Sequence, residues 1–457
     1  MTESRLTGRL REILRGSPGR VADTAPQRPE PDRARSAEAV GQRLAREAAA
    51  ALGGDVIETP KGPCVCVTRT YPADHRHGIV RIGDCADALQ ERDGTLAALA
   101  GIDRPDPCSS PPGTLLFVDL ETTGLSGGAG TCAFLVGCAA FDEVALRVEQ
   151  FFMIGHALER ALLAAVRGPI EASDTLVTYN GKSFDVPVLE TRFLFHREPA
   201  PFADRPHIDM LHTARRLWRG ARSVVAAPGG YGEACTLASM EQALCGFRRY
   251  HDVSGFEIPT RFFAFLRSSD VRPLAPVFEH NRLDLISLAV LTARAARLLR
   301  EDPQRVDDAR EAYGVGRMLE ARGDEASAER WFTRAVMLGA RSWHAGDASV
   351  RVQALRALAL RCRREGRYCE AAAHWEAVVS ARLCPPALLR EALEALAIHH
   401  EHRSRDLDRA RQYAERTRTL SHVRARADAV EHRLTRLRRK LSDRQTLLSD
   451  DGVAVTG

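Results

Sequence analysis

The chain has 457 residues, 44% of them hydrophobic, with a formal net charge of +5 and a pI near 8.7. That length points to two or three domains with ample apolar content for their cores, and the mild basicity permits a nucleic-acid partner without demanding one. No apolar run approaches the ~18–20 residues of a membrane span, the N-terminus has no secretory h-region, and eleven cysteines without regular spacing lead to the expectation of a soluble protein in a reducing compartment, the cytoplasm.

Residues 1–35 are rich in Arg, Pro and polar residues and read as a disordered tail. A helical pattern over 36–52, strand-like runs such as 65–70 and a helix near 86–100 read as a small α/β lead-in, closed by the linker DRPDPCSSPPG, so that 36–112 form a unit of their own. The Cys64–Cys66 pair inside one of these runs reads as part of a strand rather than a zinc site. Three strand patterns follow closely, over 114–120, 132–141 and 147–153, with short turns between them, as in an antiparallel meander. Helix and strand then alternate: strands at 175–179 and 207–209, helices at 185–195, 210–218, 237–244, 260–267 and 271–299. A meander followed by alternating elements predicts a mixed sheet flanked by helices over 113–300.

From 305 to 440 the pattern is helical throughout. AYGVGRMLEARGDEASAERWFTRAV and ALRALALRCRREGRYCEAAAHWEAVV share one scheme, a helix, a turn holding Gly323 or Gly366, and a second helix with Ala and aromatic positions. The turns lie farther apart than the ~34-residue tetratricopeptide period, so the expected array is tetratricopeptide-like with insertions. The Arg-dense stretch from Arg403 to Arg444 reads as a solvated helix face, with contact to phosphates as the sharper alternative, and 441–457 as a flexible tail.

The chemistry concentrates in FVDLETTGLSGGAGT. Side chains at i and i+2 of a strand share a face, so Asp119 and Glu121 point together. Two such charges repel unless solvated or bound to a cation, and hard carboxylate oxygens suit Mg²⁺ or Mn²⁺. In LVTYNGKSFDVPVLETRF, Asp185 stands where a strand opens into a helix, with Asn180 in the turn before it. In VFEHNRLDLISLAVL, His280 and Asp284 are i and i+4 on one helix and face the same way. Asp209, at the strand-to-helix step HIDML, reads as a helix cap. Lys182 and Arg192 flank the second segment as possible phosphate contacts. The glycines after Thr123 read as a tight strand-to-strand turn, because the next element is a strand and offers no helix N-terminus to a phosphate.

DLETTG, YNGKSFDVPVLETR and HNRLD, in this order, resemble the three motifs of the DEDD superfamily of 3′–5′ exonucleases, and the segment from Leu115 to Leu299 looks like the YprB-type ribonuclease H-like domain. The resemblance implies a ribonuclease H-like α/β domain followed by tetratricopeptide-like helices. It also implies hydrolysis of phosphodiester bonds from the 3′ end of single-stranded DNA or RNA. Asp119, Glu121, Asp185 and Asp284 would hold two ions of Mg²⁺ or Mn²⁺, with His280 as general base or water-orienting residue. Thr122, Gly124, Asn180, Lys182 and Asn281 would touch substrate, and the helices would recruit a protein partner. One departure concerns His280. It stands four residues before Asp284, the spacing that family members use with Tyr, whereas those using His place it five before. Alternatives are a non-catalytic nucleic-acid-binding scaffold working through the repeats, or a structure-selective endonuclease.

Overall fold

The computed structural model describes residues 31–90, 94–101, 113–124, 130–202, 205–220, 235–342, 344–420 and 424–450. The strands are β1 (Asp55–Thr59), β2 (Gly62–Tyr71), the short pair β3 (Arg76–His77) and β4 (Val80–Arg81), β5 (Leu115–Thr122), β6 (Ala133–Asp142), β7 (Ala145–Phe152), β8 (Thr175–Thr178) and β9 (His207–Asp209). Seven of them form one mixed sheet in the order β1-β2-β7-β6-β5-β8-β9. Pairing is antiparallel from β1 to β5 and parallel from β5 through β8 to β9. The meander follows from its links: Glu143, in the turn between β6 and β7, takes a left-handed φ of 54° that closes a tight hairpin. The parallel strands need crossovers, supplied by α4 (Glu159–Glu171) and α5 (Asp185–Phe195).

The other helices up to residue 300 are α1 (Pro31–Leu52), α2 (Ile82–Gln90), α3 (Thr95–Ala100), α6 (Met210–Leu217), α7 (Leu237–Cys245), α8 (Ile258–Ser268) and α9 (Ala275–Arg300). Helix α9 lies across β5, β6 and β7. Its approach depends on Gly137 of β6, where a Cβ would stand 2.4 Å from the Asn281 Oδ1 and 2.7 Å from Leu285. Phe134 and Phe152 anchor α8 and α9 on the same sheet, with Phe134 stacked on Phe262 at 4.2 Å and Phe152 against Phe278 at 5.5 Å.

Two of the expected boundaries fall differently. The strands of the 36–112 lead-in are not a separate sheet, because β2 runs alongside β7 from Val65 opposite Phe152 to Tyr71 opposite Leu146. The buried Cys64, Val65, Cys66 and Val67 complete the core of the main sheet, and burial pushes the Cys64 thiol up to about 12. The segment 441–457, expected as a tail, is helical up to Asp450 within the last helix. The linker at 103–112 and the glycines at 127 and 128 lie outside the described residues, as do 1–30 of the expected tail.

The C-terminal region is helical, with α10 (Ala309–Ala321), α11 (Glu325–Arg341), α12 (Ala345–Arg364), α13 (Tyr368–Val379), α14 (Pro386–His402), α15 (Leu407–Thr419) and α16 (Arg424–Asp450), each packed on its successor. Gly323 and Gly366 take left-handed φ values of 79° and 77° at two of the turns, as helix C-termini require. The array is not loosely tethered. Trp218 Nε1 donates to Glu311 Oε1 of α10 at 3.0 Å, Gly314 lies against the carbonyl of Arg216, and one apolar core runs from the sheet into α10–α12. In the Arg-dense stretch, Arg436 and Lys440 turn inward onto Glu401 at 2.7 and 2.8 Å. His400 is buried against the ring of Tyr413, 5.6 Å between centroids. Among the described residues, no helix is long and apolar enough to cross a membrane.

Candidate active site

Strand β5 carries the first two carboxylates. Leu115 to Val118 are buried, and Asp119 and Glu121 follow on one face of the strand as its pairing with β6 ends. The register slips between Glu121 and Thr122, opposite Leu135 and Ala133, so a bulge bends the strand just beyond the acids. Asp119 faces Gly137 across the ladder, and the space that Gly137 leaves admits Asn281. Asn281 Nδ2 donates to Asp119 Oδ2 at 2.8 Å, and its Oδ1 accepts from Gln150 Nε2 at 2.8 Å. Gln150 also donates to the Phe278 carbonyl at 2.8 Å. Gln150 and Asn281 are both wholly buried, so this chain of hydrogen bonds fixes the Asp119 carboxylate from beneath.

Asp185 opens α5 and is buried. The turn before it is braced by Asp209, which caps α6 through Leu211 N at 3.1 Å. The same carboxylate accepts from the backbone N–H groups of Asn180 at 2.8 Å and Lys182 at 3.1 Å. Asn180 itself sits at φ 69°, a left-handed conformation that Asn tolerates. Asp209 therefore acts both as the expected cap and as the clamp that presents the Asp185 turn.

Helix α9, lying across β5, brings His280, Asn281 and Asp284 to the same place. His280 Nδ1 lies 2.7 Å from Asp252 Oδ1, and its Nε2 lies 3.5 Å from Asp284 Oδ2. A carboxylate only accepts, so Nδ1 carries the proton toward Asp252 and Nε2 faces the acids. Asp284 Oδ1 accepts from Arg249 Nη2 at 2.5 Å. Arg249 is itself held by both oxygens of Glu241, at 2.7 and 2.9 Å, and touches Asp252 at 3.3 Å. Ser287 donates to Glu241, and His77 Nε2 lies 2.8 Å from the Ser287 hydroxyl. Burial lowers the His77 imidazole to about 3. It is therefore neutral and supplies the Nε2–H that Ser287 accepts.

The charges in the cluster are unequal. Burial holds Asp119 well above the ordinary Asp range, and Asp284, Glu121 and Asp185 raise it further. Glu121 is raised by burial and then by Asp284, Asp185 and Asp252. Asp185 is pushed up to about 7, chiefly by burial. Acids drawn from β5, α5 and α9 thus act on one another, and repulsion among hard oxygen donors is what a divalent cation relieves. In donor chemistry the four carboxylates fit Mg²⁺ or Mn²⁺. Among the described residues no three acidic, His or Cys side chains stand ready around a common point, and Asp284 is turned toward Arg249.

The structure therefore brings Asp119, Glu121, Asp185, His280 and Asp284 to one place. The residues expected to touch substrate divide. Asn180 and Lys182 are exposed on the turn beside Asp185. Thr122 is buried and its hydroxyl donates to the Gly124 carbonyl at 2.7 Å, shaping the turn after β5. Asn281 is buried under Asp119 with both ends of its amide engaged, a support for the carboxylate and not a surface contact. Arg192, read as a possible phosphate contact, is buried in a paired contact with Glu159, its Nε and Nη2 each 2.5 Å from a carboxylate oxygen. Reading the sequence missed Arg249, Glu241, Asp252 and Gln150. Only the run FRRYHD, with two arginines beside an acid, hinted at one of them.

Comparison with known proteins covers the segment that holds this cluster. Residues 116–296 match the family model described as RNase_H superfamily. The chain is 28% identical over 385 residues to the "Uncharacterized protein YprB" of Bacillus subtilis (strain 168), covering 83% of this chain and 86% of that protein. A solved structure, the family B DNA polymerase from the hyperthermophilic archaeon Pyrobaculum calidifontis, is similar at 12% identity with a TM-score of 0.34. That likeness covers 55% of this chain and only 30% of the polymerase. The chain carries a ribonuclease H-like superfamily domain, spanning the segment that holds all four clustered carboxylates, and is homologous along most of its length to YprB.

Proposed function

We propose that the protein is a metal-dependent 3′–5′ exonuclease of single-stranded DNA or RNA, with 113–300 as its catalytic portion. The observation that carries this reading is the convergence of Asp119, Glu121, Asp185 and Asp284, from three separate segments, at the end of the interior strand β5. There, on top of burial, Asp284 and Asp185 raise Asp119 and Glu121, and Asp284 raises Asp185. Nucleases of this fold generally use divalent cations, and two ions of Mg²⁺ or Mn²⁺ held by these four residues would supply water activation and stabilise charge on the leaving 3′-oxygen. Asn281, locked by Gln150, keeps the Asp119 carboxylate in place. Asp252 holds the His280 Nδ1–H, so that Nε2 accepts the proton of the attacking water. Asp209 holds the turn carrying Asn180 and Lys182, which meets the 3′-terminal nucleotide. The C-terminal helices form tetratricopeptide-like pairs that recruit a protein partner in the cytoplasm.

The test is an incubation of 5′-labelled single-stranded DNA and RNA with the purified full chain and Mn²⁺. The expected result is a ladder shortening from the 3′ end. Asp119→Ala should slow it by about 10³-fold or more, since metal-supported charge stabilisation contributes several kcal/mol. No cleavage by the wild type, or equal cleavage by Asp119→Ala, would refute the reading. Cleavage of a circular single strand would make the enzyme an endonuclease.

A further inference from the structure

The acid cluster has a basic counterpart. Two adjoining cavities meet at Arg215. The first opens at Tyr179 and Asn180, on the turn that leads to Asp185, and is lined by Arg215 and Arg219. The second continues between α3, α6 and α10, lined by Arg215, Arg216, Arg310, Arg317 and Arg322. Five of these six arginines form no ion pair among the described residues; the sixth, Arg317, pairs with Glu320 at 2.9 Å. Arg310 is partly buried, and its Nε is enclosed without a hydrogen-bond partner. Its guanidinium is held below its ordinary range by burial, with Arg219 adding to the effect. No acid is among the residues lining the groove, although Asp308 acts on Arg310 and Glu320 on Arg317, and like charges gathered in this excess are costly unless a polyanion completes them.

We propose that this groove binds the phosphate backbone of a single strand whose 3′ end lies at the acid cluster. The groove leads from the Asn180 turn to the first helix of the C-terminal array, so the array contributes directly to substrate binding. Guanidinium forks suit phosphate oxygens, and a path of arginines without base-reading side chains gives binding that is strong, salt-dependent and indifferent to sequence. The placement of the strand's end rests on the nuclease reading above; the groove's affinity for a backbone does not.

The test is fluorescence anisotropy with labelled oligo(dT) and oligo(U) of 4 and 20 nucleotides, in EDTA to prevent turnover, at a series of salt concentrations. The variant is Arg215→Gln/Arg219→Gln/Arg322→Gln, with the corresponding triple Lys variant as the charge-preserving control and melting curves to verify folding. For the 20-mer, the Gln variant should bind at least about tenfold more weakly, with a slope of log affinity against log salt smaller by about 2, at ~0.7 for each phosphate no longer neutralised. The Lys variant should retain the slope, and the 4-mer should bind the wild type and the Gln variant alike. Unchanged affinity and slope for the 20-mer would overturn the proposal, including the case in which the groove takes an acidic protein instead. If the wild type binds through these arginines but never cleaves with Mn²⁺, the nuclease reading fails and the groove stands. If it cleaves and the Gln variant binds normally, only the groove fails.

Discussion

The two sides of the acid cluster are built on opposite terms. On the sheet side, Asp119, Glu121 and Asp185 have other carboxylates as their strongest charged neighbours or are raised chiefly by burial, and all three are held above their ordinary range. On the helix side, Asp284 has Arg249, itself anchored by the buried Glu241 and raised by its acidic partners. The sheet side stores electrostatic repulsion, part of it from Asp284 itself, while Asp284 on the helix side is ion-paired within the chain. A cation therefore relieves the sheet side and competes with Arg249 for Asp284.

Removing a group from each side should move stability in opposite directions. Arg249→Gln leaves Glu241 and Asp284 without their partner and should destabilise the metal-free protein by ~3–5 kcal/mol, the cost of breaking a buried pair. Denaturant unfolding measures this, and a change below about 1 kcal/mol would mean that the pairing contributes little. Asp185→Asn should do the reverse. The folded state holds the Asp185 proton up to about 7, against an ordinary value of 3.8. The associated stabilisation is complete below the ordinary range and is lost as pH rises through about 7. Metal-free wild type should therefore melt at lower temperature at pH 8 than at pH 5. Asp185→Asn should flatten that slope and gain on the order of 2–4 kcal/mol at pH 8. The smallest effect concerns the junction between the two sides. Gly137→Ala pushes a methyl group toward the Asn281 amide and should cost ~1–3 kcal/mol, as overpacking does. It should also slow cleavage by displacing Asp119, whereas normal stability and turnover in that variant would show that Asn281 does not position the carboxylate.

What could be read from the sequence follows the same division. Local patterns revealed the meander and the alternating elements, while Asp119, Glu121, Asp185, His280 and Asp284 were singled out together only by the resemblance of three short motifs. The partners were hidden because they act across the chain. Gln150 and Asn281 are 131 residues apart, and Arg249 and Asp284 are 35 apart with no shared pattern. The membership of β2 in the main sheet was equally illegible, since strand pairing leaves no trace in a single strand's composition. Arg192 misled for the same reason: it read as a possible phosphate contact, and only the position of Glu159, 33 residues earlier, shows it to be buried in an ion pair.

The most direct test of the central claim is isothermal titration of the full-length chain with Mn²⁺ at pH 8, wild type beside Asp119→Asn and Asp284→Asn. Two bound ions in the wild type, with binding weakened or abolished in both variants, is the predicted result. Heats no larger than dilution in all three proteins would contradict it.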